Sequence, residues 1–432
     1  MGNRKPHLVV IPYPAQGHVA PLLKLSHNLV NHGINVTFVN IHSQHSPILS
    51  QNLYQQIPLL TLVSISEGSQ SHLQDLIQNI NDSNKDAQIT HVIADVSLGW
   101  ALKTAYQMGL NPVAFVPYGL ANLAFILHIP KLIEAGIIDA NGTPIKEETI
   151  SLSKDIPPWN HKSLVWSFND EETQKFLFKI FMFDVAEDVK LCTTILANSF
   201  YQLETAASNL IPNILPIGPL MNHSGDFMFA GDSTCLNWLD QQPSGSVIYV
   251  AFGSTVFCSQ QQLNELAIGF EITNRPFLWV VRSDFTKETA AKLPEGFIER
   301  VGSYGKIVEW APQEKVLAHP SIGCFFSHCG WNSTMEGVSK GVPFLCWPYA
   351  VDQFHNRDNI CETWKIGVQV MPDENGVVTG HEIKSKIEKL LSDEAIKSNS
   401  LQLMEIAGKS IREEGSSFMN FNRFITQIQQ LD

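Results

Sequence analysis

Residues 327–337, SHCGWNSTMEG, bring His328, Cys329, Asn332, Ser333 and Glu336 together around Gly330 and Gly337. Three chemistries suit these residue types. His328 and Cys329 are zinc-ligand types, but they are adjacent and no second spaced pair accompanies them. Cys329 could be a nucleophile, yet no base is identifiable to activate its thiol. A turn glycine, small polar side chains and bare backbone N–H groups at a helix N-terminus bind phosphate. Ser333-x-x-Glu336 also has the form of a capping box, which could do no more than start a helix.

The flanking sequence says what must position these groups. Ser327 closes the apolar run 323–327, so the stretch is a strand-to-helix turn at a strand's carboxyl end. Lys340, Gly341 and Pro343 then act as helix stops. Along the whole chain short β-branched runs alternate with helical patterns, which indicates parallel α/β architecture. Strands are expected at 7–12, 35–40, 59–65, 91–95, 112–117, 193–198 and 213–217. A second series follows at 247–252, 276–281, 306–309, 323–327 and 343–347. The helix expected over 19–32 puts Val19, Leu22, Leu23, Leu29 and Val30 on one face, and Gly33 caps it. Between the two series, 221–235 loses periodicity and reads as an interdomain linker. The expected organisation is therefore two Rossmann-like domains, 1–220 and 236–412, with a C-terminal helix over 413–432. Two such halves would hold ligand in a cleft facing the carboxyl ends of both sheets.

Composition narrows the function classes. A chain of 432 residues is too long for one ordinary core. Its net charge of -13 argues against nucleic acid or an anionic membrane as the main partner. The N-terminal apolar run, 8–11, is broken by Pro12 and is too short for a signal peptide, and no later run would span a bilayer. Seven cysteines, odd in number and without a CxxC pair, suit free thiols in a reducing compartment. The expectation is a cytoplasmic monomer without stable membrane insertion.

The wider context, WAPQEKVLAHPSIGCFFSHCGWNSTMEGVSKGVPFLCWPYAVDQ over 310–353, resembles the signature box of plant family 1 UDP-dependent glycosyltransferases. The resemblance extends from PHLVVIPYPAQGHVAPLLKL through GSVIYVAFGS to the C-terminal helices. It implies the GT-B fold, with the acceptor held by the N-terminal half, UDP-sugar by the C-terminal half, and the last helix crossing back onto the first domain. Carried over by position, Trp310 would stack on uracil, while Ala311 and Gln313 bond uracil and ribose. Glu336 would accept from the ribose hydroxyls; His328, Asn332, Ser333, Ser254 and Gly17 would contact the donor around its diphosphate. Trp331, Asp352 and Gln353 match the residues that read the sugar, and a terminal Gln is usual where glucose is the donor. Core packing for Trp310 and Trp331, and helix N-capping for Asp352, are the structural alternatives.

The resemblance also marks a catalytic pair. His18, in PYPAQGHVAP, occupies the family's catalytic position on the turn after the first strand. A helix N-terminus there opposes imidazolium, which suits a general base. Asp95, in HVIADVSLGW, ends another strand and can orient His18 in the manner of a hydrolase triad, or N-cap the helix expected over 98–108. No Asp-x-Asp motif occurs, so no metal cofactor is expected and UDP-glucose enters as co-substrate. The implied reaction is inverting transfer of glucose to a hydroxyl, giving a β-glucoside.

Acceptor recognition is the least legible part. Phe125, Trp159, Trp166 and Phe168 could line a pocket for a phenolic, flavonoid, terpenoid or steroid, or they could simply pack the core. The segment between Ile65 and His91 is shorter than is usual in the family, where a helix lies near the acceptor. Two rivals are weighed against this reading. An NAD-dependent oxidoreductase lacks its GxGxxG turn, since PYPAQGH stands there. A non-catalytic UDP-sugar-binding protein would be expected to have lost His18 or Asp95.

Overall fold

The computed structural model describes residues 6–41, 57–65, 69–83, 87–162, 164–167, 170–221, 234–254, 256–286 and 292–430. The chain divides into two compact units, Met1–Met228 with Lys409–Asp432, and Phe229–Gly408. Nearly all of the expected linker, 222–233, lies outside the described residues, and so does Phe168.

The first unit is built on seven strands: β1 (His7–Ile11), β2 (Asn35–Ile41), β3 (Leu60–Ile65), β4 (Ile89–Asp95), β5 (Asn111–Val116), β6 (Thr194–Ala197) and β7 (Ile214–Pro216). Their order is β3-β2-β1-β4-β5-β6-β7 and every pairing is parallel. Helices cover both faces, so the central strands are apolar runs without alternation, as LVVI in β1 illustrates. The helix Gln16–Asn31 buries Val19, Leu22, Leu23, Leu25 and Leu29 against the sheet, each apolar side chain worth about 1.5–3 kcal/mol. At the far edge the helix Ser416–Gln429 completes this core with Phe424, Ile425 and Ile428, which join Leu196, Leu215 and Ile217. Asn420 Nδ2 donates to Pro216 O at 2.9 Å beside them. The short segment before β4 still forms a helix, Gln70–Ser83, with Leu73 and Ile77 buried.

The second unit carries β8 (Val247–Ala251), β9 (Phe277–Val280), β10 (Gly305–Val308), β11 (Ile322–Ser327), β12 (Phe344–Cys346) and β13 (Gly367–Gln369). These are again all parallel, in the order β10-β9-β8-β11-β12-β13. β13 is absent from the expected strands because GVQ is too short to show a pattern. Gly367 is required there by space, since a Cβ would come within 2.6 Å of Phe344 O.

Both strand orders reverse once, between β1 and β4 and between β8 and β11. At such a switch point the two connections leave toward opposite faces, and a crevice opens at the carboxyl ends. His18 follows β1 and Asp95 ends β4; Ser254 follows β8 and His328 follows β11. The topology therefore brings each pair together although 77 and 74 positions separate them in sequence (95 − 18 and 328 − 254).

Candidate active site and nucleotide-sugar cradle

At the first switch point, β1 ends at Ile11 and the chain turns so that Ala15 O accepts from His18 N and Val19 N, each at 2.9 Å. His18 is thereby fixed in the first turn of its helix. His18 Nδ1 donates to Asp95 Oδ2 across 2.7 Å, and Asp95 Oδ1 accepts from Ser97 N at 2.9 Å. Asp95 is fully buried, and such a carboxylate is tolerable only with both oxygens bonded. The carboxylate fixes the imidazole tautomer: the proton sits on Nδ1 and the basic lone pair on Nε2. Asp95 thus orients His18 with one oxygen and holds its own turn with the other. It does not cap the next helix, whose N-cap position is Leu98.

Two aromatic residues missed in the sequence stand next to this pair. The Tyr13 ring lies 5.2 Å from the His18 ring, and Phe181 meets Tyr13 edge-on at 5.6 Å. Burial and the Asp95 charge raise the Tyr13 phenol's pKa, so it stays protonated. Phe181 comes from a π-helical segment, Phe178–Phe183, whose sequence reads as ordinary amphipathic helix. Beyond it Phe176 is 55% exposed and packs on Phe181 at 6.4 Å.

The residues expected to line an acceptor pocket are elsewhere. Phe125 and Trp166 are 0% exposed and Trp159 is 2% exposed. Phe125 is stacked on Trp159 at 4.3 Å and on Trp166 at 5.6 Å. Trp166 Nε1 donates to Gly142 O at 2.8 Å, which satisfies its only polar atom. These rings have no surface left for a ligand; they are core, and the pocket assignment is corrected accordingly.

In the second unit the helix after β11 begins earlier than the capping-box reading requires. It runs Trp331–Lys340 with Gly330 at the N-cap and no side-chain cap. Ser333 and Glu336 therefore do not cap it. Their oxygens instead accept from Gln313 Nε2, at 2.9 Å for Ser333 Oγ and 2.8 Å for Glu336 Oε2. Gln313 Oε1 accepts from the Tyr249 hydroxyl at 3.1 Å. One amide thus ties the start of the helix Gln313–Leu317 to two turns of the helix Trp331–Lys340 and to the middle of β8.

His328 is buried between two glycines. A Cβ on Gly253 or Gly330 would stand 2.6 or 2.4 Å from its Nε2. Its Nδ1 is buried without a hydrogen-bond partner among the described residues, an arrangement that calls for a polar ligand or water. Burial, and secondarily the charge of Arg282, push its pKa down to about 4. His328 is thus neutral at pH 7 and can offer a hydrogen bond but no charge.

The remaining expected contacts differ in character. Trp310 is 43% exposed, as a stacking platform must be. Ala311, Asn332 and Ser254 are half-buried, and Gly17 is exposed beside His18 in the first unit. Trp331 is buried beside Trp364, ring centroids 6.3 Å apart, so most of its indole surface is packed. Asp352 occupies an N-cap position without capping; its Oδ2 accepts from Asn356 Nδ2 at 2.9 Å. The same Nδ2 donates to Cys329 O at 2.9 Å, so Asn356 links Asp352 to the His328 turn. Gln353 Oε1 accepts from Tyr349 N at 2.8 Å and Ala350 N at 3.1 Å, so its amide is oriented by the turn before its helix. Among the described residues no cluster of His, Cys, Asp or Glu could hold a metal ion.

Comparison with known proteins shows the family and the fold. A family profile described as UDP-glucoronosyl and UDP-glucosyl transferase matches residues 164–409. UDP-glycosyltransferase 83A1 of Arabidopsis thaliana is 40% identical over 98% of this chain and 97% of its own length. Mogroside I-E synthase of Siraitia grosvenorii is 31% identical, with 98% of each chain covered. The solved structure of Phytolacca americana UGT2, complexed with UDP-2fluoro-glucose and pterostilbene, superposes with a TM-score of 0.86 at 28% identity, covering 99% of this chain and 100% of that one. With its two parallel Rossmann-like sheets, the chain belongs to the plant UDP-glycosyltransferase family and has the GT-B fold.

Proposed function

We propose that this enzyme transfers glucose from UDP-glucose to a hydroxyl of a small lipophilic acceptor, with inversion, to give a β-O-glucoside. The observation that carries the proposal is the 2.7 Å bond from His18 Nδ1 to the buried Asp95. With Nδ1 committed to the carboxylate, Nε2 is the ring nitrogen that would take the proton from an acceptor hydroxyl. In the proposed step the acceptor oxygen forms a bond to C1 of the sugar while the C1–O bond to the diphosphate breaks. The hydroxyl proton passes to His18 Nε2, and UDP leaves with the electron pair. The leaving charge meets the N-terminus of the helix Trp331–Lys340 and the His328 turn, with no step assigned to a metal.

The acceptor class is read from Tyr13 and Phe181 beside His18, flat apolar surfaces suited to an aromatic or polycyclic alcohol. The relatives named for mogroside synthesis and for a pterostilbene complex support the same class. A cytoplasmic monomer is the setting we infer, in keeping with seven free thiols and no described helix long and apolar enough to cross a membrane.

The test incubates purified protein with UDP-glucose and a mixed panel of phenolic, flavonoid, terpenoid and steroid alcohols. Mass spectrometry reads hexose gain with and without EDTA, and His18→Ala is run in parallel. Glucosides from the wild type alone, insensitive to EDTA, are expected. UDP-glucose binding without product on any acceptor would instead favour a non-catalytic sugar-nucleotide-binding protein.

A further inference from the structure

A buried cation stands behind the turn that carries Gly253 and faces His328. Arg282 follows β9 and is 6% exposed. Its Nη1 donates to Gly253 O, its Nη2 to Val256 O at 3.0 Å, and its Nε to Asp284 Oδ1 at 2.9 Å. Its guanidinium carbon lies 5.6 Å from the centre of the Phe257 ring. Since β9, β8 and β11 are neighbours in that order, their carboxyl ends set Arg282, Gly253 and His328 in a row.

Two consequences follow from elementary electrostatics. In a trans peptide the N–H points opposite to the C=O. With Gly253 O held by the guanidinium, the Ser254 N–H is therefore aimed away from Arg282. Burying a guanidinium is costly unless its charge is matched, and its carboxylate partner among the described residues, Asp284, is 65% exposed and screened by water. A partner so exposed offsets the buried charge only in part, and the Arg282 charge adds to burial in lowering the His328 pKa.

We propose that Arg282 is a positioning residue for the diphosphate: it aims the Ser254 backbone N–H and supplies the full positive charge that neutral His328 lacks. Its field would favour the second phosphate of a nucleoside diphosphate over a monophosphate. The proposal rests on the UDP-sugar reading above and concerns a residue outside the signature box.

Calorimetric titration of the full-length protein with UMP and with UDP tests it, because the ratio of the two affinities isolates the second phosphate. Arg282→Met is expected to lower that ratio roughly tenfold or more, with a higher KM for UDP-glucose and a smaller change in kcat. Arg282→Lys, which keeps the charge but loses the fork, should recover part of the ratio. Asp284→Asn removes only the exposed counter-charge and should raise the ratio about twofold or more. Circular dichroism checks folding; should Arg282→Met not fold, the lysine and Asp284 variants decide the matter. Folded variants with the wild-type ratio, or with both nucleotides weakened equally, would reduce Arg282 to a structural clamp and overturn the proposal. A wild type that binds neither nucleotide would overturn the UDP-sugar reading, and this inference with it.

Discussion

The hydroxyl of Tyr249 donates to Gln313 Oε1 at 3.1 Å, and this bond decides which way the Gln313 amide faces. With Oε1 occupied, Nε2 must point to Ser333 and Glu336, at 2.9 and 2.8 Å. Three residues expected to touch the nucleotide are thus registered to one another by a tyrosine buried in the sheet. Tyr249→Phe keeps the ring and its stacking on Phe325 but frees the amide to flip. We expect KM for UDP-glucose to rise about fivefold, the worth of one neutral hydrogen bond near 1 kcal/mol, with kcat nearly unchanged. Initial-rate kinetics at saturating acceptor would check this; an unchanged KM would mean that the amide is held by other contacts.

The His18–Asp95 bond makes a different prediction. Asp95→Asn keeps the shape of the side chain but presents a neutral amide to Nδ1, removing the charge that stabilises imidazolium and the preference for the productive tautomer. We expect kcat to fall about 10²–10⁴-fold for His18→Ala, and by a comparable factor for Asp95→Asn. UDP affinity, measured by calorimetry, should hold in both because the proposed nucleotide contacts lie almost wholly in the second unit. A loss of UDP binding equal to the loss of rate would show a folding defect, not a catalytic one.

The aromatic residues separate into two groups with opposite expected phenotypes. Phe125→Ala or Trp159→Ala removes a ring from a sealed stack and should cost about 3–5 kcal/mol of stability, read as a lowered urea midpoint. Tyr13→Ala or Phe181→Ala should leave stability closer to wild type, since both are only partly buried, and should instead raise KM for the acceptor. Altered acceptor kinetics from a fully stable Phe125→Ala would contradict this division.

Stability should depend on pH through buried histidines. Burial pushes His91 down to about 4 and His328 likewise to about 4, and it lowers His7 as well. Each would titrate near its ordinary value of about 6.5 when unfolded, so between these values the unfolded chain binds more protons. The stabilisation is complete above about pH 6.5, declines as pH falls through that window, and levels off near 4, where the folded forms also protonate. Urea midpoints measured from pH 8 to pH 4 should show this decline. His91→Asn should flatten the slope even though it lowers the plateau; an unaltered slope would assign the acid sensitivity to other groups.

How much of this was legible in the sequence depended on whether the signal was local. Strands such as LVVI and IGCFFS declare themselves because burial on both faces leaves an unbroken apolar run. His18, Asp95 and Glu336 stand out because motif and position coincide. What escaped was set by contacts distant in sequence. Tyr249 reads as a strand residue until its hydroxyl is seen to reach position 313, and Asn356 as a helix residue until it bridges Cys329 and Asp352. Phe125, Trp159 and Trp166 were open between pocket and core, since type and spacing are the same in either. The capping box failed because the helix starts at Trp331, two residues before the serine that was to cap it.

The glycines around His328 supply the last prediction. Gly253 has φ +70°, and a Cβ there would stand 2.6 Å from His328 Nε2, well inside contact distance. Gly253→Ala therefore carries two costs: left-handed backbone, about 1–2 kcal/mol, and a displaced imidazole. Gly109 separates them, because it has φ +73° and a Cβ added there would meet nothing within 4 Å. Gly109→Ala should lose stability by about the backbone cost while its UDP affinity holds. Gly253→Ala should lose at least as much stability and, in addition, weaken UDP roughly tenfold, because the displaced ring can no longer hold its position in the turn. Should the two variants bind UDP equally well, the imidazole would have moved aside without consequence, and His328 would not be a donor contact at all.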